Sequence, residues 1–226
     1  MRGLLRLLGS LYVAVGDREV KITSGRERVV LAGLAMQAGE TASHDHLCRA
    51  LWGVDWSPSR DSAYRPAVSR LRKTLGVAGL VVTESFGYRL SMDSGDIDVL
   101  AFDALARTSG TATSPAEWRR ALEVLTRATA LWRGTPFTDI PSDHLRREHA
   151  HRLEAQFSLV RAKRAEAVIR AAKAAAASLY ARYCSSRAKS RSLASSRARS
   201  SSSSTSPEGS SRAALRSSSV AATTRK

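Results

Sequence analysis

The chain has 226 residues, with 36 Lys or Arg against 20 Asp or Glu and a formal net charge of +16. That length allows one or two domains, each able to bury its own core, and a basic excess points to a polyanionic partner. No apolar run approaches the roughly 18 residues that a membrane span needs, so a membrane partner is not expected.

The charge is unevenly spread. Residues 1–106 carry 13 basic and 12 acidic groups, residues 107–160 carry 8 and 6, and residues 161–226 carry 15 and 2. If the folded part binds DNA, it must do so through a local patch. Cys48 and Cys184 lie far apart and lack a CxxC partner, which points away from a disulfide framework or a zinc site. His44/His46 and His149/His151 are spaced i,i+2, so neither pair shares a helix face, and no third ligand stands nearby. Neither a metal nor a cofactor is expected.

The start, MRGLLRLLGSLYVAVGD, imitates a secretory signal, but Arg6 interrupts its apolar run. Alternation of Leu5/Leu7, Leu11/Val13/Val15 and Val20/Ile22 predicts three short strands instead, with turns at Gly9-Ser10 and Gly16-Asp17. A cytoplasmic location follows. Ser24-Gly-Arg-Glu27 fits a capping box for a helix reaching about Gln37. Its apolar residues (Val29, Val30, Leu31, Leu34, Met36) lie almost all round, which predicts a central position, and Gly39 closes it. A second helix starts near Ser43 and carries Leu47, Ala50, Leu51 and Trp52.

The third helix, about Ser59 to Leu75, carries the functional signal. Tyr64, Val68, Leu71 and Leu75 form one buried stripe. Arg65, Ser69 and Arg72 share another face, with Ser62, Arg70 and Lys73 at its edges. Five basic groups (Arg60, Arg65, Arg70, Arg72, Lys73) stand against the single acid Asp61. If Ser62 is the N-cap, Pro66 falls at the fourth helical position and forfeits one hydrogen bond, whereas an earlier start implies a kink. Leu80–Thr83 and Tyr88–Leu90 then read as strands around the turn Glu84-Ser-Phe-Gly87. Three strands, three helices and a hairpin are the components of a winged helix.

An α+β winged-helix domain is thus expected over 1–95, an all-α helical domain over 96–172, and a basic low-complexity tail over 173–226. In the second region Ser114-Pro-Ala-Glu117 gives an N-cap, Pro at N1 and Glu at N3 before a stripe of Trp118, Leu122, Leu125, Thr129 and Trp132. Ser142 is a candidate cap for a further helix through Leu145, Leu153, Phe157, Val160 and Ile169. These paired amphipathic helices resemble tetratricopeptide hairpins, without a clean 34-residue period. From Ser185 to Lys226, 17 of 42 residues are Ser and almost none is large and apolar, so this segment is expected to be disordered.

The stretches RLLGSLYVAVGDREVKI, RERVVLAGLAMQAGE, LCRALWG, AVSRLRKTLG and TESFGYRL resemble the winged-helix domain of the SARP family. These are pathway-specific regulators of antibiotic biosynthesis in actinobacteria, related to OmpR/PhoB-type effector domains. ATALWRGTPFTDI is similar to the bacterial transcriptional activation domain that follows in them. The resemblance covers roughly residues 2–170. It implies cooperative homodimeric binding to direct repeats in double-stranded DNA, and recruitment of RNA polymerase holoenzyme to activate a secondary-metabolite gene cluster. No nucleotidase-type Gly loop or FHA-like module is apparent, which implies a short regulator. Relatives continue amphipathic helices beyond Ile169, where this chain turns to Ala/Ser/Arg-rich sequence. It therefore reads as C-terminally truncated or diverged, or as continuing in a shifted reading frame.

Arg side chains in the major groove read guanine O6 and N7. Arg65, Ser69 and Arg72 are the expected base-facing residues, with Arg70 and Lys73 on phosphates, Ser62 able to donate to phosphate, Arg60 a further DNA-binding candidate, and Ser85 and Arg89 touching the backbone or minor groove from the wing. The bland alternative is a solvated helix face; the position between helix-turn and hairpin favours DNA. Trp52, Trp118 and Trp132 lie on apolar stripes and read as core. No nucleophile elbow or other catalytic spacing is present, and Asp143-His144 with Glu148 reads as helix-surface chemistry, so an enzyme is not expected. The remaining alternative is a tetratricopeptide-like protein-interaction module without specific DNA binding.

Overall fold

Strand formation begins where alternation is strongest. In the computed structural model, which describes residues 3–55, 64–108, 110 and 112–201, β1 (Gly3–Arg6), β2 (Tyr12–Val15) and β3 (Arg18–Glu19) form an antiparallel sheet in that order. Leu5 pairs with Val13, and Leu5, Leu7, Leu8, Val13 and Val15 turn into the core. The third strand sits two residues earlier than the alternation suggests. Val20 and Ile22 follow it as buried residues of an irregular segment.

Helix α1 (Gly25–Met36) is buried from Val29 to Ala35, as an apolar circumference requires. Its anticipated capping box is absent: Ser24 makes no side-chain cap, and Glu27 is buried, accepting a hydrogen bond from Thr74 Oγ1 at 3.0 Å. The carboxylate that would have reached back to the helix start bridges to the next helix layer instead. A short strand, β4 (Thr41–Ser43), precedes α2 (His44–Trp52), whose first turn is capped by Ser43 Oγ accepting from His46 N at 3.1 Å. Three polar-flanked residues are too few to show an alternation, so β4 had no signal in the sequence. It pairs with β6 to make a second sheet of order β4-β6-β5, in which β5 is Val81–Glu84 and β6 is Gly87–Leu90. Between them in the chain, α3 (Arg65–Leu75) packs Ala67, Val68, Leu71 and Leu75 inward.

The helices that follow share this core. Helix α4 (Asp98–Thr108) contributes Val99 and Phe102, and α5 (Pro115–Ala130) contributes Leu125 and Ala128. The capping box at α5 forms as its residues dictate: Ser114 Oγ accepts from Glu117 N, and Glu117 Oε2 accepts from Ser114 N at 3.0 Å. Backbone N–H bonds from Thr113 and Ser114 hold the Glu117 carboxyl down at about 2. Ser142 Oγ accepts from Leu145 N at the start of α6 (Asp143–Leu145). A π-helical turn, Arg146–Ala150, joins α6 to α7 (His151–Ser201). Trp132 stacks on Phe157 of α7 at 4.1 Å between centroids and 7° between planes, so Trp132 is core, as its stripe suggests. Ile169 is exposed; Ala167 takes the buried position in that turn.

The chain forms two compact units, Met1–Ala175 and Ala176–Lys226. The change near residue 95 is therefore a change of architecture within one body. In the second unit the described residues, up to Ser201, are helical, and Leu179, Tyr180, Tyr183 and Leu193 are exposed. Ala, Arg and Lys are strong helix formers, and Ser185, Ser186 and Ser190, at the start of the segment expected to be disordered, satisfy their hydroxyls on carbonyls of the preceding turn. The rest of the tail reading falls on residues 202–226, outside the described residues. No described helix is long and apolar enough to cross a membrane.

One side chain ties the N-terminal sheet to the helices. Asp98, 3 % exposed, accepts from Leu7 N at 2.7 Å and Leu8 N at 2.9 Å, and Arg133 approaches to 3.9 Å. Arg133 N and Phe137 N in turn donate to Leu8 O and Leu7 O. Burial raises the Asp98 pKa above the ordinary carboxylate range, against the lowering effect of those two N–H bonds and of Arg133. The folded state thus binds this proton more tightly than the unfolded chain. Protonation of Asp98 therefore favours folding: the contribution is fully present below the unfolded carboxyl pKa and is lost as pH rises through the folded value. Asp98→Asn leaves one of two buried N–H donors facing an NH2 group. The expected result at neutral pH is a loss of about 1–3 kcal/mol in urea unfolding, together with removal of this pH-dependent contribution.

Candidate nucleic-acid interface

Helix α3 begins where the chain leaves Tyr64, its N-cap, so Pro66 occupies the second helical position. Its missing N–H falls among the first four, which have no intrahelical partner in any case. The helix neither kinks nor forfeits a bond there, which corrects the expectation of a cost at Pro66. Arg60 and Ser62, and with them the early part of the anticipated helix, lie outside the described residues.

Two clamps fix the orientation of α3. At its start, the Tyr64 hydroxyl is hydrogen-bonded to Nδ1 of His44, the first residue of α2. The Tyr64 and Tyr88 rings meet edge-on with centroids 6.1 Å apart, and His44 lies 6.1 Å from Tyr88. Burial pushes the Tyr64 pKa up, keeping the phenol neutral. The N-terminus of α3, the start of α2 and strand β6 therefore share one aromatic triangle.

At its end, Gly76 adopts the left-handed conformation (φ 69°) and donates to Arg72 O. Arg72 itself runs out over the hairpin. Its Nε donates to Val81 O at 2.9 Å, its Nη2 donates to Thr83 Oγ1 at 2.7 Å, and its guanidinium lies 5.4 Å from the Tyr88 ring centroid. The residue read from sequence as base-facing is thus engaged with the wing. Helical spacing alone placed it on the Arg65/Ser69 face; the docking of β5 beside that face, which no local pattern encodes, draws it aside.

Arg65, Ser69, Arg70 and Lys73 remain exposed. Spacing of i, i+4 and i+8 puts Arg65, Ser69 and Lys73 along one line, with Arg70 beside it. Among the described residues, none of the ion pairs involves Arg65, Arg70 or Lys73. The face is a row of cations and a hydroxyl along one 11-residue helix.

In the wing, Ser85 is exposed at the turn, while Arg89 is half-buried and paired with Glu84 at 3.1 Å. Arg89 therefore reaches any partner only by exchanging that carboxylate. The turn also exposes Phe86, whose signal in the sequence is an aromatic placed in a turn, outside the strand alternation. Asp143 and Arg146 form an ion pair, and His144 Nε2 lies 2.9 Å from Glu148, an ordinary i,i+4 surface pair. Among the described residues no group of three or more His, Cys, Asp or Glu is placed to hold a metal ion.

Comparison with known proteins matches this geometry. Residues 97–187 match the family described as bacterial transcriptional activator domain. The regulatory protein AfsR of Streptomyces coelicolor is 34 % identical over 122 residues, covering 54 % of this chain and 12 % of that protein. The transcriptional regulatory protein EmbR of Mycobacterium tuberculosis is 30 % identical over 176 residues, covering 75 % of this chain and 45 % of that one. The transcriptional regulator RedD of Streptomyces coelicolor is 29 % identical over 142 residues, covering 60 % and 40 %. A solved structure of Mycobacterium tuberculosis EmbR, in complex with a low-affinity phosphopeptide, superposes with a TM-score of 0.67 at 30 % identity, over 80 % of this chain and 49 % of that one. The chain spans less than half the length of each of these relatives. Residues 97–187 thus match a bacterial transcriptional activator domain, and the chain is similar to transcriptional regulators of Streptomyces and Mycobacterium.

Proposed function

We propose that the chain is a sequence-specific double-stranded DNA-binding regulator, acting in the cytoplasm, that reads the major groove with the exposed face of α3. The observation that carries this reading is the line Arg65, Ser69 and Lys73, flanked by Arg70, on a helix whose opposite face is buried and whose two ends are clamped. A helix fits the major groove, Arg is the commonest reader of guanine, and the Lys and second Arg suit phosphates. Arg72 acts as a strut that sets the wing against α3. The SARP resemblance supports the finer reading: cooperative homodimeric binding to direct repeats, recruitment of RNA polymerase holoenzyme through the helical domain, and activation of a secondary-metabolite gene cluster.

The test uses duplexes selected by the full chain from a random-sequence pool. Arg65→Ala is expected to cost about 1–3 kcal/mol and relax preference at one base pair, whereas Lys73→Ala weakens all sequences alike and lowers the salt slope by about 1. Unchanged duplex binding by the Arg65 variant, with native circular dichroism, would instead favour a protein-interaction module without specific DNA binding. Arg72→Lys keeps the charge but loses the paired bonds to Val81 and Thr83. It is expected to lower stability by about 1–2 kcal/mol in urea unfolding, and an unchanged transition would mean that Arg72 is only a solvated cation.

A further inference from the structure

We infer that Phe86, at the tip of the wing, is an apolar wedge that enters the minor groove beside the α3 site and unstacks one base step. This rests on the DNA-binding reading of α3 and names a residue and a mode of contact beyond it.

Phe86 is 80 % exposed, the most exposed of the large hydrophobic residues among those described. Its backbone, in contrast, is held on both sides. Phe86 O accepts from His44 N at 3.2 Å, and β6 pairs with β4 through Gly87 and Ser43. Gly87 is obligatory there, because a Cβ would lie 1.9 Å from Ala42 O. A large apolar side chain standing in water on a rigid two-strand tip, with no core to join, is built for contact.

The charge around the tip selects the partner. His44, which holds the Phe86 carbonyl, also holds the Tyr64 hydroxyl, and Tyr64 is the N-cap of α3 immediately before Arg65. One residue thus couples the wing tip to the start of the basic helix. When α3 lies in a major groove, a wing fixed to its N-terminal end meets the adjoining backbone and minor groove. Glu84 and Arg89 neutralise one another at 3.1 Å, so the tip brings little net charge of its own. Ser85 beside it can donate to a phosphate, while Phe86 has no polar group to read a base edge. Its available contribution is to enter between base pairs, as Phe, Leu, Ile and Met wedges do, and to favour steps that unstack cheaply, the pyrimidine–purine ones.

The inference is tested on the duplex selected by the full chain, with 2-aminopurine placed at successive steps flanking the α3 site and the bend read by end-to-end energy transfer. The wild-type chain is expected to raise 2-aminopurine emission at one step and to bend the duplex there. Phe86→Ala should abolish both and weaken binding about tenfold with the salt slope unchanged, since Phe86 neutralises no phosphate. Phe86→Leu should restore much of the bend. Because the side chain is exposed, neither change touches the core. If Phe86→Ala keeps the emission, the bend and the affinity while Arg65→Ala still loses binding, the wedge is overturned and the α3 reading stands. Loss confined to cooperativity between two half-sites would also overturn it, assigning Phe86 to a second copy of the chain. If the wild-type chain selects no duplex, the DNA reading fails and the wedge fails with it.

Discussion

The fold depends on how the end of a strand is terminated. After β1 the backbone N–H groups of Leu7 and Leu8 are inside the protein, with no strand to bond to. The carboxylate of Asp98 accepts from both, and the carbonyls of the same two residues accept from Phe137 and Arg133. A buried backbone left without partners costs about 1–3 kcal/mol for each group, so this knot holds the start of α4 and the loop after α5 against the N-terminal sheet. Asp139 adds a second tie, accepting from Leu11 N and facing Arg28. Asp98 opens α4 and Asp139 sits in the turn after α5, and both act on the backbone or side chains of the winged helix.

The winged helix and the first helices of the activator domain do not behave as beads on a linker; Ile97, Phe102, Leu125, Phe137 and Leu153 join Leu5, Leu7, Leu31 and Leu47 in one hydrophobic cluster. One contiguous core therefore runs from the helical region to the sheet and α1, and α1 meets α3 through Glu27 and Thr74. The orientation of the basic face is an outcome of the whole first unit.

Much of this was legible in the sequence, because burial leaves periodic traces. Strand alternation in 5–15, the apolar circumference of α1, the Tyr64/Val68/Leu71/Leu75 stripe and the Ser114/Glu117 box all correspond to the residues that form those features. What failed to show is long-range or very short. Strand β4 exists because β6 is beside it. Arg72 belongs to the wing because β5 docks there, although helical spacing assigns it to the groove face. Glu27 left its expected cap because Thr74 offers a buried partner. Helix α7 runs past Ile169 because Ala, Arg and Lys favour helix even without an apolar stripe, a preference that arguments from core burial overlook. Asp98 looked like one of several acids in a boundary segment, and nothing local distinguishes the one that accepts two strand N–H groups.

The central claim is that the exposed face of α3 lies in the major groove of duplex DNA. Guanine N7 methylation protection on a duplex selected by the full chain tests it most directly, since N7 lies in the major groove. A short run of protected guanines at each repeat is expected, and it disappears with Arg65→Ala. Equal methylation of every guanine with and without bound protein would contradict it.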